Sequence, residues 1–395
     1  MDSPDCSRYR VMSLMPAEPA RITPIQPVNP VQPPPQPPSE SQNNNTSDNS
    51  PITDRDYLDR VVGQNTRKYT MAKAEFSVPC MPSMLNEALR LLQEYCQLLG
   101  KPGTPEEQEK LRAFLSQKLQ EGFNASPHSR LVLMCVPAKP QIGLLGGVSI
   151  QTKVVSESLS DKYTTWPKTR PDPLFGSEPD VKVMNVAASL GEPSQIRVLD
   201  VGAGPGRNSL PLARRGHPVH ALELTPVFAE KLVQAAKPEN LPVEVAVGNV
   251  LDPLVRMRPY YYQYVISTEV ISHFRNTQEL RLFFGKMCDA LVTGGKLLVS
   301  LFLTEGGYQP TDLVRELGEV SFSSIFTPGE LRQSIEGLPL NMVSVEATLE
   351  YEKQHHQGES WPPTPWYEGW CSGRNVFPIQ KKPPMQLYWV LMERS

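Results

Sequence analysis

The first 65 or so residues hold too few apolar positions to build a face, and Pro, Ser, Gln and Asn fill the space. Such a stretch buries too little surface to offset the ordering entropy of the chain. It is expected to be a disordered tail, with polyproline II character over Val31–Pro38. Order is expected from near Phe76. Leu85, Ala88, Leu89, Leu92, Cys96 and Leu99 recur with the helical period, with Ser83 as the expected cap and Gly100 as the stop. Thr104-Pro105-Glu106-Glu107 has the form of a capping box, and the helix it starts carries Leu111, Phe114, Leu115 and Leu119 on one face. Strands are predicted over Arg130–Val136 and Val148–Val155, the second alternating so that one face is solvated. These elements make a small α+β unit over residues 66–158.

Beyond a helix at Pro179–Leu190, the period switches back and forth between strand and helix. Strands are predicted at Arg197–Val201, Val219–Leu224, Val243–Val247, Tyr264–Ser267 and Lys296–Phe302, with helices near 206–215, 226–236 and 276–291. Met342–Tyr351 and Leu387–Glu393 are predicted to close the chain as strands. Regular β/α alternation implies an α/β fold with a parallel sheet. Residues 159–395 are therefore expected to be one domain, with 352–386 as a long insertion between the last two strands.

Charge and composition narrow the function by exclusion. The formal net charge is −3, so no global field recruits nucleic acid. No apolar run reaches the roughly 18 residues of a membrane span, and the N-terminus lacks the apolar core of a signal peptide. The expectation is a soluble, cytoplasmic protein. The six cysteines are scattered, without zinc-ligand spacing, so reduced thiols and no metal are expected. Oligomeric state leaves no signal in the sequence.

The chemistry concentrates between Val198 and Glu223. The short strand Val198-Leu199-Asp200-Val201 runs into Gly202-Ala203-Gly204-Pro205-Gly206 and then a helix; the next strand carries Glu223. Glycines let backbone N–H groups approach a ligand and turn the chain sharply. An acid at that distance can accept from both ribose hydroxyls. The spacing is G-x-G-x-G, not the G-x-G-x-x-G that serves a pyrophosphate, which argues against a nicotinamide dehydrogenase.

With these residues in place, the sequence resembles the class I S-adenosylmethionine-dependent methyltransferases, over about Tyr163 to Ser395. The resemblance implies a seven-stranded Rossmann-like sheet with an antiparallel last strand, and S-adenosylmethionine as cofactor. Asp200, Gly202, Ala203, Gly204 and Gly206 match the first motif, Glu223 the ribose-binding acid, and Leu224 an adenine contact. Asn249, followed by Val250, stands where the family usually has an acid facing the adenine amino group. Its oxygen can still accept that bond, without charge. Ser267-Thr268-Glu269-Val270-Ile271-Ser272-His273-Phe274 follows the fourth strand and resembles the corresponding motif of small-molecule methyltransferases, including the tellurite-resistance type.

Ser267 belongs to that cofactor set, and Glu269 and His273 are the candidate catalytic pair. One helical turn would stack them, and an imidazole with an unperturbed pKa of about 6.5 is a base near neutral pH. Tyr163 and Trp166 are expected in a cover over the cofactor. Trp366, Tyr367 and Trp370 are expected to wall the acceptor from an ordered lid, with Arg374 to hold an anionic acceptor. An aromatic cage for a cationic amine is the opposite reading of the same rings. The expected function is methyl transfer to a small-molecule acceptor, without nucleic-acid or membrane partners. A protein side chain as acceptor, and a non-catalytic cofactor-binding protein, are the alternatives.

Overall fold

The computed structural model describes residues 54–138, 147–169, 173–356 and 361–395. The Pro-rich tail up to residue 53 lies outside the described residues. The expected tail extends too far, because Arg55–Tyr69 is a helix. From Arg55 to Ser395 the chain forms one compact unit.

Two sheets organise it. The first is antiparallel, in the order β1 (Ala74–Pro79), β2 (Arg130–Pro137) and β3 (Val148–Val155). Helices Leu85–Leu98 and Pro105–Ala125 pack on it, and Leu89, Leu92, Leu115, Leu119, Leu131 and Leu133 form its core. The capping box of Thr104 and Glu107 is present as expected. Ser83 is not a cap: it lies in a 3-10 turn, and its backbone N–H donates to Glu316 at 2.9 Å. That bond joins the small sheet to the helix Asp312–Val320, whose Leu317 and Val320 pack against the same core.

The second sheet holds β4 (Val198–Val201), β5 (Val219–Glu223), β6 (Val243–Val247), β7 (Tyr262–Ser267), β8 (Leu291–Thr304), β10 (Leu340–Ala347) and β11 (Met385–Arg394). Its order is β10-β11-β8-β7-β4-β5-β6, with β11 antiparallel to both neighbours and β4 to β8 parallel. An eighth strand departs from the expected seven: the short β9 (Ile325–Phe326) pairs with β8. All four residues of β4 are buried, as a central parallel strand covered on both faces requires. The order reverses between β4 and β7, so their carboxyl ends open a crevice where ligands bind in such sheets.

One expected strand ends early. Met342–Tyr351 is strand only to Ala347, and Thr348–His355 is a helix. This turn brings Glu352 under the helix Val181–Ser189. Its carboxylate accepts the Val181 and Lys182 backbone N–H groups at 2.7 and 3.1 Å and the Trp389 indole N–H at 3.0 Å. An acid at a helix N-terminus satisfies donors that the helix itself cannot.

Candidate functional site

The glycine loop leaves β4 in a backbone shape that side chains resist. Gly202, Gly204 and Gly206 have φ of 78°, 55° and 102°. A Cβ on Gly202 would lie 2.2 Å from Val270 Cγ2, so glycine is required there on both counts. The Gly202 N–H donates to Leu222 O at 2.7 Å, fixing the loop to β5. Glu223 closes the arrangement: Oε2 accepts from Gly204 N and Oε1 from Thr225 N, both at 2.8 Å. Burial raises its carboxyl above the ordinary range, and these N–H groups oppose the shift. Asp200, also buried, accepts from Ser209 Oγ at 2.6 Å, and burial pushes its carboxyl up to about 7. Asn249 is exposed, and its Oδ1 accepts the Leu251 N–H at 2.9 Å in a local turn.

These residues face one pocket of about 390 Å³, within the usual range of about 300–1,000 Å³ for small-molecule sites. Asp200, Gly202, Ala203, Gly204, Glu223, Leu224, Asn249 and Val250 line it, with Tyr163, Glu269 and His273. Two members of the expected cofactor set do not. Gly206 packs against Leu210 and Leu232, where a Cβ would meet Leu232 Cδ1 at 2.5 Å. Ser267 is fully buried on β7, and its hydroxyl has no partner among the described residues.

At the carboxyl end of β7 the backbone is strained. Glu269 has φ of 63°, a left-handed conformation uncommon for any residue but Gly, Asn and Asp. Its N–H donates to Ser300 Oγ at 2.8 Å, which helps hold the turn. Its carboxylate accepts from Arg207 Nη2 at 2.7 Å, yet burial outweighs the arginine and pushes the carboxyl up to about 7. Arg207 donates its other arm to Asp180 at 2.6 Å. Asn208 Nδ2 donates to Asp180 and Thr268, so Asp180 organises both residues that follow the glycine loop.

His273 does not behave as the free imidazole expected from its type. It lies in a 3-10 turn, within 2.8 Å of the Tyr163 hydroxyl through Nε2. Burial pushes its pKa down to about 3, so the ring is neutral throughout the physiological range. Tyr163 and Trp166 lie on the helix Leu159–Thr169 and meet edge to face at 4.7 Å. Tyr163 lines the pocket; Trp166 does not.

The small sheet contributes the remaining wall: Ala125, Ser126, Pro127 and His128, with Ser158 and Leu159. His128 is stacked on Phe322 at 4.6 Å, and burial pushes its pKa down to about 4. Arg275, Glu279 and Glu319 line the same end. The sequence pointed to none of these, nor to Asp180 or Arg207. Arg207 and Asn208 were in plain view after the glycine loop, but their partner Asp180 is 27 and 28 positions away.

The aromatic segment lies elsewhere. Trp366, Tyr367, Trp370 and Arg374 do not line the pocket. Tyr367 and Trp370 pack with Phe302, Ile325, Met385 and Leu387, with Trp366 against the same cluster. Tyr367 and Trp370 are buried there, and removing aromatic surface from water against the face beside β8 and β11 favours that placement. Arg374 is exposed. The segment still adjoins the site: Trp370 Nε1 donates to Phe322 O at 2.9 Å, on the residue that stacks on His128, and Tyr367 lies within electrostatic reach of Arg207 and Asp180. Phe322 itself has φ of 57°.

Among the described residues, no helix is long and apolar enough to cross a membrane, and no group of three or more His, Cys, Asp or Glu is arranged to hold a metal. Cys80, Cys96, Cys135, Cys288 and Cys371 are free thiols.

Residues 198–295 match a family described as a methyltransferase domain. No curated protein matches the sequence. Among solved structures, geranyl diphosphate C-methyltransferase from Streptomyces coelicolor A3(2) is similar at 16% identity, over 54% of this chain and 80% of that one, with a TM-score of 0.42. Phosphoethanolamine N-methyltransferase 2 from Haemonchus contortus is 16% identical over 63% and 64% of the two chains, with a TM-score of 0.44. A TehB-like S-adenosylmethionine-dependent methyltransferase from Corynebacterium glutamicum is 14% identical over 59% and 95%, with a TM-score of 0.35. At these scores the likenesses decide nothing about substrate. Residues 198–295, which the glycine loop opens, are thus similar to a methyltransferase domain.

Proposed function

We propose that the protein transfers a methyl group from S-adenosylmethionine to a small-molecule acceptor, with Glu269 as the base. One observation carries this reading: a single pocket brings the glycine loop, Glu223 and the strained Glu269 together. The residues suit the cofactor. Gly204 lines the pocket, and a Cβ there would meet no protein atom within 4 Å, so its backbone is open to a ligand. Asp200 and Glu223 are buried acids facing a cofactor that carries a sulfonium and an ammonium, and a bound cation favours their charged forms.

When bound, S-adenosylmethionine supplies a methyl group on a sulfonium that needs no further activation. Gly202–Gly204 and Asp200 would hold its amino acid portion, Glu223 its ribose, and Leu224 and Asn249 its base. The remaining work of the chain is positioning and proton removal. The new bond forms between the acceptor heteroatom and the methyl carbon. The cofactor would supply the methyl group and keep the bonding pair on its sulfur as leaving group, and the acceptor proton would pass to the Glu269 carboxylate. A carboxyl pushed up to about 7 is matched to that task at neutral pH. Neutral His273 and the Tyr163 hydroxyl orient the acceptor by hydrogen bonding. Strain of the Glu269 kind is a recurrent mark of active sites.

Calorimetric titration with S-adenosylhomocysteine and with NAD tests the cofactor. Tight binding of the first and none of the second is expected; no binding of S-adenosylhomocysteine overturns the reading. Turnover is tested by release of S-adenosylhomocysteine from S-adenosylmethionine when a small-molecule cell extract is added. Binding without any extract-dependent release would leave a non-catalytic binder.

A further inference from the structure

The helix Val181–Ser189 is capped by the wrong acid. Asp180 stands at its N-cap, where an aspartate ordinarily accepts an N–H from the first turn, yet its side chain makes no cap bond. Glu352, on the helix Thr348–His355, does that work instead: its carboxylate receives the Val181 and Lys182 N–H groups. The Trp389 indole of β11 fixes the same carboxylate. The Asp180 carboxylate is thereby spared by its own helix and turns to the residues after the glycine loop.

There it serves two arms. Oδ1 accepts from Arg207 Nη1 at 2.6 Å, and Arg207 Nη2 donates on to Glu269 Oε1 at 2.7 Å. Oδ2 accepts from Asn208 Nδ2 at 2.9 Å, and the Asp180 N–H donates back to Asn208 Oδ1 at 2.9 Å. The same Asn208 Nδ2 reaches Thr268 Oγ1 at 3.2 Å. Both arms end on the strained turn after β7, one on the Glu269 carboxylate and one on the residue before it. Asp180 is 4% exposed and does not line the pocket, so it acts on the reaction through its neighbours.

Arg207 is one cation between two acids. A guanidinium presents its donors in a rigid fork, so the arm on Asp180 fixes the direction of the arm on Glu269. Charge acts as well: Arg207 favours ionisation of Glu269, and the negative Asp180 opposes it. Tyr367 and Cys371 face this cluster from the helix Tyr367–Cys371, and burial keeps both protonated. Glu352 and Asp200 lie within electrostatic reach of Asp180.

We propose that Asp180 is a positioning residue for methyl transfer: through Arg207 it aims the Glu269 carboxylate at the acceptor, and through Asn208 it holds the turn that carries Glu269. This inference rests on the transferase reading above, with Glu269 as the base.

Release of S-adenosylhomocysteine from S-adenosylmethionine is followed against pH in the full chain, with the small-molecule extract in excess. The native protein, Asp180→Asn and Glu269→Gln are compared. The native rate is expected to rise through about 7, and the rise is expected to vanish in Glu269→Gln. In Asp180→Asn the charge that opposes ionisation of Glu269 is gone and Arg207 is left to Glu269 alone, so the rise should move to lower pH. The plateau should also fall by about tenfold to a hundredfold, because the carboxylate loses its aim. A midpoint at the native pH overturns the proposal even if the plateau falls, since a smaller folded fraction lowers the plateau without moving the midpoint. A native plateau overturns it too. If the Asn variant does not fold, Asp180→Ser, whose hydroxyl can cap the helix, is judged by the same midpoint and plateau. No release by the native protein, or a rise that survives in Glu269→Gln, defeats the transferase or the base reading and this proposal with it, and both are seen without any Asp180 variant.

Discussion

The two halves of the pocket are built in opposite ways. The cofactor half comes from strand ends and turns close in sequence: Asp200–Asn208, Leu222–Leu224 and Gly248–Leu251. Its shape is set by left-handed glycines, and the Glu223 carboxylate fixes it through the Gly204 backbone N–H. The acceptor half is assembled from Ala125–His128, Ser158–Tyr163, Thr268–Arg275 and Glu319. Its lining residues come from elements far apart in the sequence, and the side chains of His128, Glu269 and His273 do most of the lining. A backbone cradle can be written in a short motif; a side-chain cavity depends on which distant elements pack together. On the proposed reading, the first half holds the cofactor and the second selects the acceptor.

Trp370 gives the largest expected effect. If the aromatic segment is core, Trp370→Ala should lower folding stability by about 3–5 kcal/mol. S-adenosylhomocysteine affinity of the folded fraction should stay unchanged. Denaturant unfolding and calorimetry read the two, and a variant of native stability with lost substrate binding would restore the lid.

Glu269→Gln should reduce kcat by about 10²–10⁴-fold with little change in cofactor affinity. In the native protein the base works only when ionised, so kcat should rise with pH through about 7 and level off above it. The Gln variant should lose that rise. His273 titrates too low, at about 3, to produce it. A pH profile retained in the Gln variant would move the base elsewhere.

Glu223→Ala should weaken S-adenosylhomocysteine binding by about 1–3 kcal/mol, through the lost ribose contacts and through Gly204 N, which loses its acceptor. Equal affinity in a titration would remove Glu223 from the ribose site. The smallest effect is expected at exposed Arg374: Arg374→Ala should change stability by no more than about 0.5 kcal/mol and leave KM alone. A raised KM would reopen the question of an anionic acceptor.

Legibility followed the range of each interaction. Thr104 and Glu107 form their capping box because that bond spans three residues and owes nothing to the rest of the fold. Ser83 looked equally like a cap, but a 3-10 turn puts Met84 at the cap position, and the Ser83 N–H goes to Glu316, 233 positions away. Glu269 and His273 were singled out by their place after a strand, and both do line the pocket. Their expected stacking on one helical turn did not survive the left-handed bend at Glu269. The aromatic segment was recognised as ordered, but the surface that orders it, Phe302 with Met385 and Leu387, exists only once β8 and β11 have paired.

The sequence by itself determined the β/α alternation, the glycine loop and its acid, because periodicity and backbone conformation are local properties. Tertiary structure decided the protonation of Glu269 and His273, the engagement of Arg207, and the closing of the pocket by His128. Each of those depends on desolvation or on a partner far along the chain, and neither exists until the two sheets come together.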